Sequence, residues 1–103
     1  MSEKHTITAL ATPVGESAVA LVRVSGALVP QIMQEIFGRK SLPKPRQAYL
    51  GNYRNLENVV LDQALYTYFE KDGSFTGDST LEIACHGNPL IAKKILDDLQ
   101  DRG

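Results

Sequence analysis

Ser74–Pro89 reads S-F-T-G-D-S-T-L-E-I-A-C-H-G-N-P: a turn, a short strand, a tight glycine turn and the start of a helix. Within the strand, alternation puts Leu81, Ile83 and Cys85 on one face and Thr80, Glu82, Ala84 and His86 on the other. The first set suits a core. The second lines up a carboxylate and an imidazole on a common face, separated by the rise of four strand residues, roughly 13 Å. That is too far for a direct acid–base pair, but it suits the two ends of one small ligand. The plainer alternative is a half-buried edge strand with a solvated Glu and a turn His. Gly87 lets the backbone turn closely, Asn88 is a favoured N-cap and Pro89 fits the first helical position. A helix N-terminus with unpaired N–H groups therefore opens beside His86.

On the C-terminal side, Ile91, Ile95 and Leu99 make a stripe with Ala92 and Leu96 beside it. Lys93, Lys94, Asp97 and Asp98 are expected to lie mostly away from it, giving an amphipathic helix laid on a sheet. The stop at Gly103, where a glycine would normally turn into a further element, reads as a fragment of something longer. On the N-terminal side, Lys71-Asp72-Gly73 is a turn signal. Before it, Gln47–Tyr53 and Val59–Phe69 read as two strands of an antiparallel hairpin, joined by R-N-L-E-N. The four tyrosines Tyr49, Tyr53, Tyr66 and Tyr68 are explained by packing.

Further upstream, Thr6–Thr12 alternates as a first strand, ended by Pro13 and Gly15. Ala18–Val24 (A-V-A-L-V-R-V) is apolar on both faces until Arg23, as in a central strand. A guanidinium at the end of such a strand needs a partner or a ligand, unless it reaches past the sheet edge to solvent. Leu28, Ile32, Met33, Ile36 and Phe37 share a helical face; Gly38 stops that helix, with Arg39 and Lys40 placed for its negative end. The start is blurred by Pro30, which biases Val29 away from helix. Arg39, Lys40, Lys44 and Arg46 then crowd a Pro-punctuated connector. Such a run could touch phosphate or a ligand's carboxylates, and is more simply a solvated loop. The order strand, strand, helix, three strands, helix predicts an α+β fold: a mixed, mostly antiparallel five-stranded sheet with two helices on one face, leaving the other for a partner.

At 103 residues, 43% hydrophobic and 22% charged, the chain is bounded to one globular domain, residues 1–103. No apolar run approaches a membrane span, and Met-Ser-Glu-Lys-His does not begin a signal peptide. A single cysteine, Cys85, makes no intrachain disulfide and reads as a buried small hydrophobe in a reducing, cytoplasmic setting. A net charge of −1 carries no global attraction for nucleic acid. No G-x-x-x-x-G-K-[ST] loop is present. His5 and His86 with one cysteine are poor material for zinc, and Asp72, Asp78 and Glu82 lack calcium-loop spacing. No nucleophile elbow frames Ser74, Ser79 and His86. Catalytic and metal-ligating residues are therefore not assigned.

Three stretches together carry a family resemblance: T-I-T-A-L-A-T-P-V-G followed by A-V-A-L-V-R-V-S-G, then P-R-Q-A-Y-L-G, then S-F-T-G-D-S-T-L-E-I-A-C-H-G-N-P. Over essentially its whole length the chain resembles the N-terminal domain of the tRNA-modification GTPases MnmE, also called TrmE. The resemblance implies a fold similar to the tetrahydrofolate-binding domains of the glycine-cleavage T-protein type. It implies homodimerisation and binding of a 5-formyl- or methylene-tetrahydrofolate as one-carbon source for modifying the tRNA wobble uridine. The intact proteins add a helical domain and a potassium-stimulated GTPase domain that holds GTP and magnesium, and work with the flavoprotein MnmG. The Arg of R-V-S-G and the Glu of L-E-I contact the folate in the family, which here means Arg23 and Glu82. A carboxylate can accept a ring N–H and an exocyclic amine of a pterin side by side, and a guanidinium supplies donors to the same ligand. His86, Gly77 and Gly87 are expected to shape the pocket.

The chain departs from the family pattern at Glu16-Ser17, where P-x-G-R-G is usual, at Asp78-Ser79 and at Asn88. It also ends before a further folate-contacting Lys, and lacks the terminal Cys motif. Glu16 in place of a cation motivates an alternative, a dimerising structural module that no longer holds folate. A third reading is a stand-alone acid–base enzyme using Glu82 and His86.

Overall fold

The computed structural model describes residues 7–10, 19–70 and 78–102. The elements are β1 (Ile7–Leu10), β2 (Val19–Ser25), α1 (Val29–Phe37), β3 (Ala48–Arg54), β4 (Val60–Phe69), β5 (Thr80–His86) and α2 (Pro89–Asp101). The expected order of elements is found. The loop through Pro13, Gly15, Glu16 and Ser17, the turn Lys71-Asp72-Gly73 and the S-F-T-G segment through Gly77 lie outside the described residues, as do the ends of the first expected strand at Thr6 and Thr12.

The sheet has five strands in the order β1-β2-β5-β4-β3. Every neighbouring pair is antiparallel, so the sheet is not mixed as expected. The last strand is threaded between β2 and β4 and runs against both, which leaves no place for a parallel pair. β5 is thus a central strand, with Ala20↔Cys85, Val22↔Ile83 and Val24↔Leu81 on one side and Tyr66↔Ile83 and Tyr68↔Leu81 on the other.

Alternation explains the layering. Ala20, Val22 and Val24 of β2, Leu81, Ile83 and Cys85 of β5, and Ala64, Tyr66 and Tyr68 of β4 are buried on one face. Val29, Ile32, Met33 and Ile36 of α1 and Ala92, Ile95 and Leu99 of α2 complete the same cluster. Both helices therefore cover one face, and the other is bare of helix. α1 begins at Val29 with Pro30 in its first turn, where the missing N–H costs nothing and the fixed φ suits the helix. That resolves the ambiguity Pro30 creates in sequence. Gly38 closes the helix in the left-handed conformation at φ 65°.

Arg39 follows the cap of α1, where its backbone N–H donates to the Gln34 carbonyl at 2.9 Å. Its guanidinium donates to the Tyr66 hydroxyl at 3.0 Å and to the Ser41 carbonyl at 3.0 Å, and lies 4.9 Å from the centre of the Tyr49 ring. One expectation about charge placement is corrected: Asp98 does not face solvent with Asp97 but is buried. Its Oδ2 accepts from the Tyr53 hydroxyl at 2.7 Å and from Arg102 Nε at 2.8 Å, while Oδ1 accepts the Leu56 N–H at 3.0 Å. Arg102 also donates to the Arg54 carbonyl at 2.9 Å and to Glu35 at 3.3 Å. A buried carboxylate and guanidinium, each with several hydrogen bonds, lace α2 to the β3–β4 loop and to α1.

Candidate functional site

The helix-free face is built by the other half of each strand's alternation. Arg23 on β2 and Glu82 on β5 are direct cross-strand partners. Arg23 Nε and Nη2 donate to the same carboxylate oxygen, Glu82 Oε2, at 3.0 and 2.6 Å. Both side chains are partly exposed. Thr67 of β4 stands on the other side of Glu82. The two residues singled out in the sequence thus meet on one face of the sheet. The guanidinium finds a partner within the sheet and does not simply run out past its edge.

The contact has a chemical consequence. Arg23 uses two of its five N–H donors on one oxygen, and among the described residues no hydrogen bond reaches Glu82 Oε1. A ligand presenting two donors side by side can place one on Oε1 and meets Arg23 at Oε2 with the other.

His86 does not join them. It lies four residues further along β5, and its Nδ1 sits 2.8 Å from Asp62 Oδ1. Its backbone N–H donates to Asp62 Oδ2, also at 2.8 Å. A direct Glu82–His86 acid–base pair is thereby ruled out by the partner each already has. Asn88 caps α2 as expected, accepting the Leu90 N–H at 2.8 Å, with Pro89 in the first turn. Cys85 is buried, with its thiol 3.5 Å from the Ala20 carbonyl. Burial, aided by the Asp62 carboxylate, pushes that thiol's pKa up, which keeps it protonated and unreactive.

Sequence reasoning missed Asp62 as the partner of His86. A signal was there: Asp62 falls on the Ala64–Tyr66–Tyr68 side of the β4 alternation, where a carboxylate needs donors. Also on the helix-free face are exposed apolar side chains, Val19 (52% accessible), Leu50 (63%) and Leu65 (47%). Leu50 pairs with Leu65, Leu65 with Ala84, and Ala84 with Leu21, so an apolar row crosses four strands. The basic connector is partly engaged: the Arg46 N–H donates to the Tyr68 carbonyl at 2.8 Å and its guanidinium lies 5.8 Å from the centre of the Phe69 ring.

A family profile described as GTP-binding protein TrmE N-terminus matches residues 6–103. The chain belongs to the TrmE N-terminus family. Among its curated relatives, the tRNA modification GTPase MnmE of Opitutus terrae is 45% identical over 100 residues, covering 97% of this chain and 22% of that protein. The MnmE proteins of Nitrosomonas eutropha and Sodalis glossinidius are 40% and 42% identical over 96 residues, each covering 93% of this chain and 21% of theirs. The chain therefore spans about a fifth of the length of the relatives it matches. Among the described residues no helix is long and apolar enough to cross a membrane.

Proposed function

We propose that this TrmE N-terminus chain is the folate-binding, dimerising unit of a larger cytoplasmic tRNA-modification GTPase. The observation that supports it is the meeting of Arg23 and Glu82 on the helix-free face, beside an exposed apolar row. Residues of these types fit a reduced folate. Glu82 offers acceptors to the N–H groups of a pterin edge, Arg23 keeps donors in reserve for an acceptor atom, and the row Leu21–Ala84–Leu65 gives a flat apolar bed for an aromatic ring. The bound folate would supply a one-carbon unit for modifying the wobble uridine. The residues here bind and orient it. GTP, magnesium and potassium belong to a GTPase domain beyond this chain, and MnmG and tRNA are partners of the intact protein.

The test is titration calorimetry with 5-formyltetrahydrofolate. Glu82→Ala is expected to abolish binding and leave the far-UV circular dichroism unchanged. Equal affinity in wild type and variant removes the assignment.

A second reading, a dimerising module without folate, draws on the same contact. Arg23 and Glu82 already satisfy each other, and the apolar row is of a kind that a protein surface also covers. Under this reading the wild-type chain dimerises and gives no heat with the folate.

A further inference from the structure

Between Glu35 and Glu57 the chain carries five cations, Arg39, Lys40, Lys44, Arg46 and Arg54, and no acid. All but Arg54 crowd the connector from α1 to β3. That connector lies on the helix side of the sheet, away from the Arg23–Glu82 pair. Its contacts are with Tyr49 and Tyr66, whose strand positions alternate with those of Leu50 and Leu65.

The backbone that carries these charges is held in place. Pro43 is buried, the Lys44 N–H donates to the Tyr49 hydroxyl at 3.1 Å, and the Arg46 N–H donates to the Tyr68 carbonyl at 2.8 Å. Pro43 and Pro45 each fix a backbone angle as well. A ligand therefore meets a connector whose main chain is already ordered, and the cost of ordering it does not fall on binding. Arg39 is pinned through Nε and Nη1, which leaves its Nη2 group unspent. Lys40 and Lys44 are exposed, and their ammonium groups meet no acceptor among the described residues. Arg46 is turned instead to the ring of Phe69, beside Glu70 in the chain.

Acids gather at the opposite end. Glu57, Asp97 and Asp101 line a cavity of about 600 Å³ between the β3–β4 loop and α2. The seven residues of β3 separate that loop from the connector, a span of roughly 20 Å. Screening in physiological salt has a length of roughly 8 Å, so charges this far apart barely cancel. The net charge of −1 thus conceals a cationic surface.

We propose, resting on the reading of this chain as part of a tRNA-modification GTPase, that the α1–β3 connector is a contact for the tRNA backbone. Lys40, Lys44 and the outer edge of Arg39 hold its phosphates. Ammonium groups bind phosphate as point charges, without a shaped pocket. The neighbouring rings are taken: Tyr49 stacks with Tyr66 and is covered by Arg39, so no ring is offered to a base. The contact positions the RNA and reads no sequence. A lipid surface is the poorer fit, because Leu42 is the connector's one exposed large apolar side chain.

Fluorescence anisotropy tests this, with the intact protein that carries this chain and a labelled, unmodified tRNA transcript at several salt concentrations. The double variant Lys40→Gln/Lys44→Gln is expected to bind about tenfold more weakly at about 50 mM salt. Its plot of log affinity against log salt should be shallower by about 1 for each lysine removed. Lys40→Arg/Lys44→Arg, which keeps the charge, should bind like wild type. Thermal melting and GTP hydrolysis should be unchanged in both. Equal affinity and slope in wild type and the Gln variant overturn the inference and leave the tRNA-modification reading standing. An equal loss in the Arg variant also overturns it, since charge would then not be what the connector supplies. If the Gln variant loses binding to phosphatidylglycerol vesicles and keeps its tRNA affinity, the connector serves a membrane and the inference falls. A wild type that binds no tRNA overturns the tRNA-modification reading and this inference together.

Discussion

Tyr53 is fully buried and its hydroxyl donates to Asp98. Burial first, then the hydrogen bond and negative charge of Asp98, push its ionisation far above the ordinary tyrosine value of about 10. An acid whose pKa is raised on folding stabilises the fold in its protonated form. That contribution is complete below about pH 10 and is lost as pH rises beyond it, because the unfolded chain then ionises and the folded one does not. Urea denaturation of wild type should therefore show stability falling above pH 10, with Cys85 adding a loss of the same sign from somewhat lower pH. Tyr53→Phe should cost about 1–2 kcal/mol at neutral pH, and its stability should fall less steeply above pH 10 than that of wild type. Identical alkaline slopes would refute the account. Asp98 also shows where a residue-level pattern misleads. Counting charges off the Ile91–Ile95–Leu99 stripe put Asp98 in solvent, although it follows Ile95 by three and so lies on the covered face. The presence of Arg102 four residues on was the legible hint that the carboxylate had a buried partner.

At the scale of elements, Gly51 decides how β3 meets α1. A Cβ built there would come within 2.9 Å of Tyr66 Cε1 and 3.1 Å of Phe37 Cδ1. Those two rings stack with centroids 3.8 Å apart and planes 16° from parallel. The bare backbone at 51 leaves them the room. Gly51→Ala is expected to lower stability by about 1–3 kcal/mol, since the ring pair must move and the core around it is closed. A variant as stable as wild type in urea denaturation would show the stack to be pliant. The elements themselves were readable, because strand alternation and helix caps are local: Leu81–Ile83–Cys85, Gly38 and Asn88-Pro89 all behave as their sequence neighbourhoods dictate. Strand direction was not readable. Whether β5 joins an edge or the centre depends on pairings between residues some sixty positions apart, which no local pattern encodes. The Arg23–Glu82 meeting was legible only through the family resemblance, and Asp62–His86 not even through that.

For the whole molecule, the contrast between its two faces sets what it can join. Helices close one side of the sheet, and the other displays Leu50, Leu65, Val19 and Ala84 around a polar pair. If that bare side is where two copies meet, Leu65→Lys puts a strongly hydrated charge at its middle without touching the helix-covered core. Sedimentation velocity over a range of concentrations should then show the variant shifted toward monomer, with an unchanged melting temperature at high dilution. A variant that self-associates like wild type would place the contact elsewhere.

The strand that joins the two halves of the sheet, β5, is made after the other four. Until residues 80–86 emerge, the inner edges of β2 and β4 carry rows of unpaired amide and carbonyl groups, and the hairpin β3–β4 has no connection to β1–β2 through hydrogen bonds. Closure requires joining segments distant in sequence, the slow kind of event in chain folding, and a nascent chain with two open edges is exposed to mispairing in the interval. Molecules interrupted just short of β5 are therefore expected to be held by chaperones or degraded, whereas those that receive it lock in a single step.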